Sequence, residues 1–247
     1  MAKPLIAGNW KMNGLAADLT EAVALAQALA QQPAKARVAL CPPATLIERA
    51  ARALADSPVL VGAEDCHAQV SGAFTGDISA EMLADAGAVL VVVGHSERRA
   101  GHGESDADVA AKALAAARAG LEPIICVGET LAEREAGRAL EIVTGQIKGS
   151  VPAALAGGAV TVAYEPVWAI GTGLTPTIPQ IEEVHGAIRQ ALVEVLGPAG
   201  AEVGILYGGS VKPDNAVEIL RATEVGGALV GGASLKAADF LQIIRAV

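Results

Sequence analysis

At 247 residues the chain fits one large domain or two small ones, and 52% hydrophobic residues suffice to bury a core without disulfides or a structural metal. A net charge of −9 and only 2% aromatic residues oppose both a polyanion-binding surface and base-stacking modules, so no nucleic-acid partner is expected. No apolar run approaches the roughly 20 residues that span a bilayer, which excludes a membrane partner.

The opening stretch Met1-Ala2-Lys3-Pro4-Leu5-Ile6 reaches polar Asn9 and Lys11 at once, without an apolar segment of leader length, so a cytoplasmic location is expected. Cys41, Cys66 and Cys126 have neither CxxC nor metal-ligand spacing and read as reduced core thiols. Apolar, β-branched runs then predict eight strands, at 5–7, 38–41, 59–63, 88–93, 121–127, 160–164, 203–207 and 228–230. Several are apolar at consecutive positions, as in parallel strands covered on both faces. Their mean spacing is about 31 residues, the size of a βαβ unit.

Between them run helical patterns. Leu19, Val23, Ala26 and Leu29 or Ala30 share one face, and Ile181, Val184, Ile188, Leu192 and Val195 another. Ser79 and Thr177-Ile178-Pro179 mark helix starts, and Gly120, Gly149 and Gly197-Pro198 mark stops. The βα rhythm is uninterrupted from residue 1 to 247, so a single domain is expected, an α/β fold closed as a (β/α)8 barrel in preference to an open doubly wound sheet.

In such a barrel, ligands bind where the strands end at their C-termini. Asn9 and Lys11 follow the first strand, His95 and Ser96 the fourth, and Glu165 the sixth. From position alone, Glu165 fits a partly desolvated base and an ordinary salt-bridged acid equally well. His95 precedes Ser96, read as the cap of a turn over Glu97-Arg98-Arg99, and a helix N-terminus there disfavours the imidazolium. A satisfied core histidine and a solvated loop lysine stay open as readings of His95 and Lys11. Gly171-Thr172-Gly173, Gly208-Gly209-Ser210 and Gly231-Gly232 offer backbone N–H groups to an anion, though each also fits a plain turn. The stretch 166–176, with prolines at both ends and Trp168 and Ile170 within, reads as a lid.

Seven phrases in order, among them Gly8-Asn9-Trp10-Lys11, Gly72-Ala73-Phe74-Thr75-Gly76, Gly94-His95-Ser96-Glu97, Cys126-Val127-Gly128-Glu129 and Ala163-Tyr164-Glu165-Pro166, make the whole chain resemble the triosephosphate isomerase family. The others are Tyr207-Gly208-Gly209-Ser210-Val211 and Val230-Gly231-Gly232-Ala233. The resemblance implies a TIM barrel that interconverts two triose phosphates, in glycolysis and gluconeogenesis, with no cofactor and no metal. It implies Glu165 as base, His95 as electrophile, and Lys11 and Asn9 as charge and orientation partners. Gly171, Ser210, Gly231 and Gly232 would bind phosphate, with Ser96, Glu97 and Cys126 in support. A homodimer is also implied, with the loop carrying Thr75 reaching the partner's site.

The chain departs from the family pattern at Leu174-Thr175-Pro176, where Lys-Thr-Ala is usual and where proline stiffens the hinge, and at Glu64-Asp65, where Gln-Asn is commoner. Asp77 and Gly226 also depart, in place of a Glu and a frequent Asp. Other readings are a different phosphosugar isomerase or epimerase barrel, a Schiff-base aldolase using Lys11, and a barrel kept only for binding.

Overall fold

The computed structural model describes residues 3–172 and 174–247, so Met1, Ala2 and the Gly173 of the lid lie outside the described residues. All eight expected strands form: β1 Leu5–Asn9, β2 Arg37–Cys41, β3 Val59–Ala63, β4 Leu90–Val93, β5 Glu122–Val127, β6 Thr161–Tyr164, β7 Gly204–Tyr207 and β8 Gly227–Val230. Each pairs in parallel with the next, and β8 returns to β1 with Gly8 opposite Val230, closing the barrel. The helices between them are α1 Leu19–Gln31, α2 Ile47–Ala53, α3 Ala80–Asp85, α4 Ser96–His102, α5 Asp106–Arg118, α6 Leu131–Glu135, α7 Ala139–Ser150, α8 Ile178–Leu196, α9 Ala216–Leu220 and α10 Ala237–Ile244.

Side chains alternate along each strand, and both faces are buried. Leu5, Ala7, Ala39, Cys41, Leu90 and Val92 belong to the inner cluster that fills the barrel. Ile6, Val38, Leu40, Val91 and Val93 point outward into the core shared with the helices. Two buried faces are why the strands read as continuous apolar runs.

The helix signals hold in part. Ser79 Oγ accepts Met82 N–H at 3.2 Å, and Thr177 opens α8 in a capping box with Gln180. Gly120 and Gly197, both at positive φ, end α5 and α8. Gly149 does not end α7, which runs to Ser150; a Cβ there would meet Asp106 Cβ at 2.7 Å, so the glycine serves close helix packing. In α1 the buried face is Ala22, Leu25, Ala26 and Leu29: Ala26 and Leu29 are buried as expected, Leu19 packs partly against the core, and Ala22 and Leu25 are buried where Val23 is only half-buried.

The inner phase carries polar residues at both ends of the barrel. At the N-terminal end, Arg37 Nη2 lies 2.5 Å from Glu122 Oε2, and Thr161 Oγ1 donates to Glu122 Oε1 at 2.7 Å. Glu122→Ala would leave Arg37 and Thr161 without their acceptor. A loss of about 2 kcal/mol in unfolding free energy is expected from urea denaturation, at an unchanged denaturant slope. Ligand binding at the opposite mouth should be unaffected.

Candidate active site

At the C-terminal end the same inner phase runs on from Ala7 to Asn9, from Ala163 to Glu165, from Leu206 to Gly208 and from Leu229 to Gly231. Glu165 N–H donates to Val127 C=O at 2.7 Å, and Gly208 N–H to Tyr164 C=O at 2.7 Å, so the ladder holds the glutamate backbone from both sides. Two glycines make room for it. A Cβ on Gly128 would stand 1.7 Å from Glu165 O, and one on Gly208 3.0 Å from Glu165 Cγ.

The Glu165 side chain is 1% exposed. Its carboxylate accepts Ser96 N–H at 2.9 Å, Ser96 Oγ–H at 3.2 Å and His95 Nε2–H at 2.8 Å. Burial pushes this carboxyl up, but His95 and the Ser96 amide outweigh it, and the net direction is below the usual value.

His95 reaches its place because Gly94, at φ +67, turns the chain off β4. Ser96 is the first residue of α4 and not its cap. His95 caps the helix, its Nδ1 accepting Glu97 N–H at 3.2 Å, which frees the Ser96 amide and hydroxyl for Glu165. Burial lowers the basicity of the ring and the Glu165 carboxylate raises it further, so the net direction is upward while the two are paired. The Glu97 amide at Nδ1 makes that nitrogen the acceptor, so the proton of the neutral ring lies on Nε2, facing Glu165.

Among the described residues, Lys11 is one of two non-glycine residues with positive φ, at +56. Asn9 Oδ1 holds its amide at 3.1 Å and Asn13 N–H its carbonyl at 2.8 Å, so the unusual turn is fixed by its neighbours. Its Nζ lies 2.5 Å from Glu97 Oε1. The Cys126 thiol is fully buried on the inner face, and burial together with Glu165 keeps it protonated.

Asn9, Lys11 and His95 line a cleft of about 810 Å3 whose far wall holds Gly171, Ser210, Gly231 and Gly232. Among the described residues, the amide N–H groups of Gly171, Ser210 and Gly231 make no hydrogen bond to protein. Glu165, Ser96, Glu97 and Cys126 stand behind or beside this cleft and do not line it. Thr75 is exposed on the loop after β3 and lies outside it.

Sequence reasoning passed over the group that anchors the start of the 166–176 stretch. Glu129, fully buried, accepts Arg134 Nε–H at 2.7 Å, Trp168 Nε1–H at 2.9 Å and Tyr164 Oη–H at 3.1 Å. The Arg134 guanidinium also covers the Trp168 ring at 5.2 Å. The start of this stretch is thereby fastened, while Gly171, Thr172 and Leu174 farther along are exposed. An acid directly after the Cys126-Val127-Gly128 strand end was the available signal.

Fold and cleft together define a class: a (β/α)8-barrel protein whose mouth offers free amides to an anion and an imidazole backed by a dry carboxylate. A sequence profile described as triosephosphate isomerase matches residues 4–247. The triosephosphate isomerase of Caulobacter vibrioides is 62% identical over 245 residues, covering 99% of this chain and 97% of that one. That of Afipia carboxidovorans is 60% identical over 244 residues, with coverage of 99% and 97%. The crystal structure of triosephosphate isomerase from Bartonella henselae superposes with a TM-score of 0.93 at 46% identity, covering 99% of both chains. The chain belongs to the triosephosphate isomerase family. Among the described residues no helix is long and apolar enough to cross a membrane.

The two acids that depart from the family pattern differ in support. Asp65 meets Lys112 Nζ at 2.8 Å and Arg98 Nη2 at 2.8 Å. Glu64 Oε1 is buried without a hydrogen-bond partner, and burial pushes its carboxyl from 4.5 up to about 8. With the folded value above the unfolded one, the folded state favours the protonated acid. Stability from this group is full below about pH 4.5 and is lost as pH rises toward 8. Glu64→Gln should therefore raise Tm. The gain over the parent should be near zero at pH 4.5, grow to pH 8 and then level off, as read by thermal denaturation across pH.

Proposed function

We propose that the chain interconverts dihydroxyacetone phosphate and D-glyceraldehyde 3-phosphate through an enediol(ate), by proton transfer alone and without cofactor or metal. The observation that carries this reading is the buried Glu165 carboxylate set 2.8 Å from a histidine that donates from Nε2.

The phosphate sits against the amides of Gly171, Ser210, Gly231 and Gly232, and Lys11 and Asn9 orient the rest of the substrate. Glu165 leaves its Ser96 donors and takes a proton from the carbon beside the carbonyl. Loss of those donors removes much of what depresses its basicity, while burial still raises it, so the move makes it a stronger base. His95, parted from the carboxylate, keeps the burial and the helix amide that hold it neutral, and its Nε2–H polarises the carbonyl oxygen. The proton returns to the neighbouring carbon, which completes the exchange of aldose for ketose. The Lys11 ammonium offsets the charge that develops on oxygen, and Glu97, Ser96 and Cys126 hold these groups in place. Closure of the lid crest excludes water and hinders loss of phosphate from the enediolate.

A Schiff-base reading is weaker, since the Lys11 nitrogen is engaged by Glu97 at 2.5 Å. The barrel acts as one domain over 1–247, in the cytoplasm, in both glycolysis and gluconeogenesis. It works as a homodimer, supported by apolar side chains left exposed beside the mouth and on the Thr75 loop: Met12 at 97%, Leu15 at 76% and Phe74 at 43%.

In a coupled assay with D-glyceraldehyde 3-phosphate, Glu165→Gln should lower kcat roughly a thousandfold or more and His95→Gln roughly a hundredfold or more. Undiminished activity in Glu165→Gln, or borohydride trapping of a lysine adduct in the parent, would overturn the mechanism. Thr75→Arg should shift sedimentation from dimer to monomer and remove most activity. A fully active monomer would contradict the dimer assignment.

A further inference from the structure

Between β7 and α9 the chain makes a turn, Ser210 to Asn215, that begins with one of the amides assigned above to phosphate. Asn215 does not line the cleft. Its carboxamide nevertheless ties the turn at two points: Oδ1 accepts Lys212 N–H at 2.8 Å, and Nδ2 donates to Ser210 C=O at 3.1 Å. Lys212 C=O in turn accepts Asn215 N–H at 3.2 Å and Ala216 N–H at 3.0 Å.

A trans peptide points its C=O and N–H in opposite directions. With Ser210 C=O held by a residue outside the cleft, the following Val211 N–H points the other way, and Val211 lines the cleft. Neither the Ser210 nor the Val211 amide has a protein acceptor among the described residues. A flipped Ser210–Val211 peptide would instead aim a carbonyl oxygen at the anion.

We infer that Asn215 is a positioning residue for phosphate: it keeps the Ser210 carbonyl out of the pocket and the amide edge of the turn facing in. This rests on the phosphate assignment of the proposed function.

The test compares the parent with Asn215→Ala and Asn215→Asp. The aspartate keeps an acceptor for Lys212 N–H, and so the turn, but replaces the donor to Ser210 with an oxygen. Affinity for inorganic phosphate, measured by calorimetry, should weaken roughly three- to tenfold in both variants. kcat/KM for D-glyceraldehyde 3-phosphate should fall by at least that factor, and kcat/KM for phosphate-free D-glyceraldehyde should stay within about twofold. The loss should persist at high ionic strength, which would screen a simple charge effect of the aspartate. Unchanged phosphate affinity, or equal losses on both substrates, would overturn the role of Asn215. A parent that does not turn over the triose phosphate would overturn the reaction, and the phosphate affinities would still decide Asn215.

Discussion

Every strand of this barrel is buried on both faces, and the phase of its alternation fixes which residues enter the closed interior. That interior tolerates polar groups only at its two ends, where they can find partners or water. The phase that places Ala7, Ala163 and Leu229 inside carries Asn9, Glu165 and Gly231 to the mouth, and the phase of β2, β5 and β6 carries Arg37, Glu122 and Thr161 to the floor. A one-residue slip in β6 would send Glu165 toward the helices and Tyr164 into the barrel. Close approach between strand ends is part of the same constraint, since Gly128 and Gly208 leave no volume beside the glutamate for another atom.

The dry setting of Glu165 has two sides. A carboxylate cut off from water needs donors, and Ser96 and His95 supply them. The same donors lower its basicity. The backbone around it is fixed by the ladder. In the stretch 166–176, Trp168 is fastened to Glu129 near the start, while Gly171, Thr172 and Leu174 are exposed.

Much of this was legible in the chain. Eight apolar runs, their spacing and the polar residues at their ends pointed to the barrel and to Asn9, Lys11, His95 and Glu165, because strand periodicity and the place of a barrel mouth are general. Other features were hidden. Ser96 read as a helix cap by residue type, but His95 takes that place because Gly94 turns the chain one residue earlier. Gly149 read as a stop, but its lack of a side chain answers to Asp106, a residue 43 positions away in sequence.

The sequence by itself determined the strands, the order of the βα units and the cluster of chemical groups at one rim, since these follow from local pattern and covalent order. It also carried the family, through motifs long enough to exclude coincidence. Only the tertiary structure decided that Glu165 rests on Ser96, that Glu129 gathers Arg134, Tyr164 and Trp168, that one carboxyl oxygen of Glu64 is buried without a hydrogen bond and that Asn215 holds Ser210. Each of these depends on distances between segments that only barrel closure brings together, and hydrogen bonds and burial are set by such distances and not by residue type.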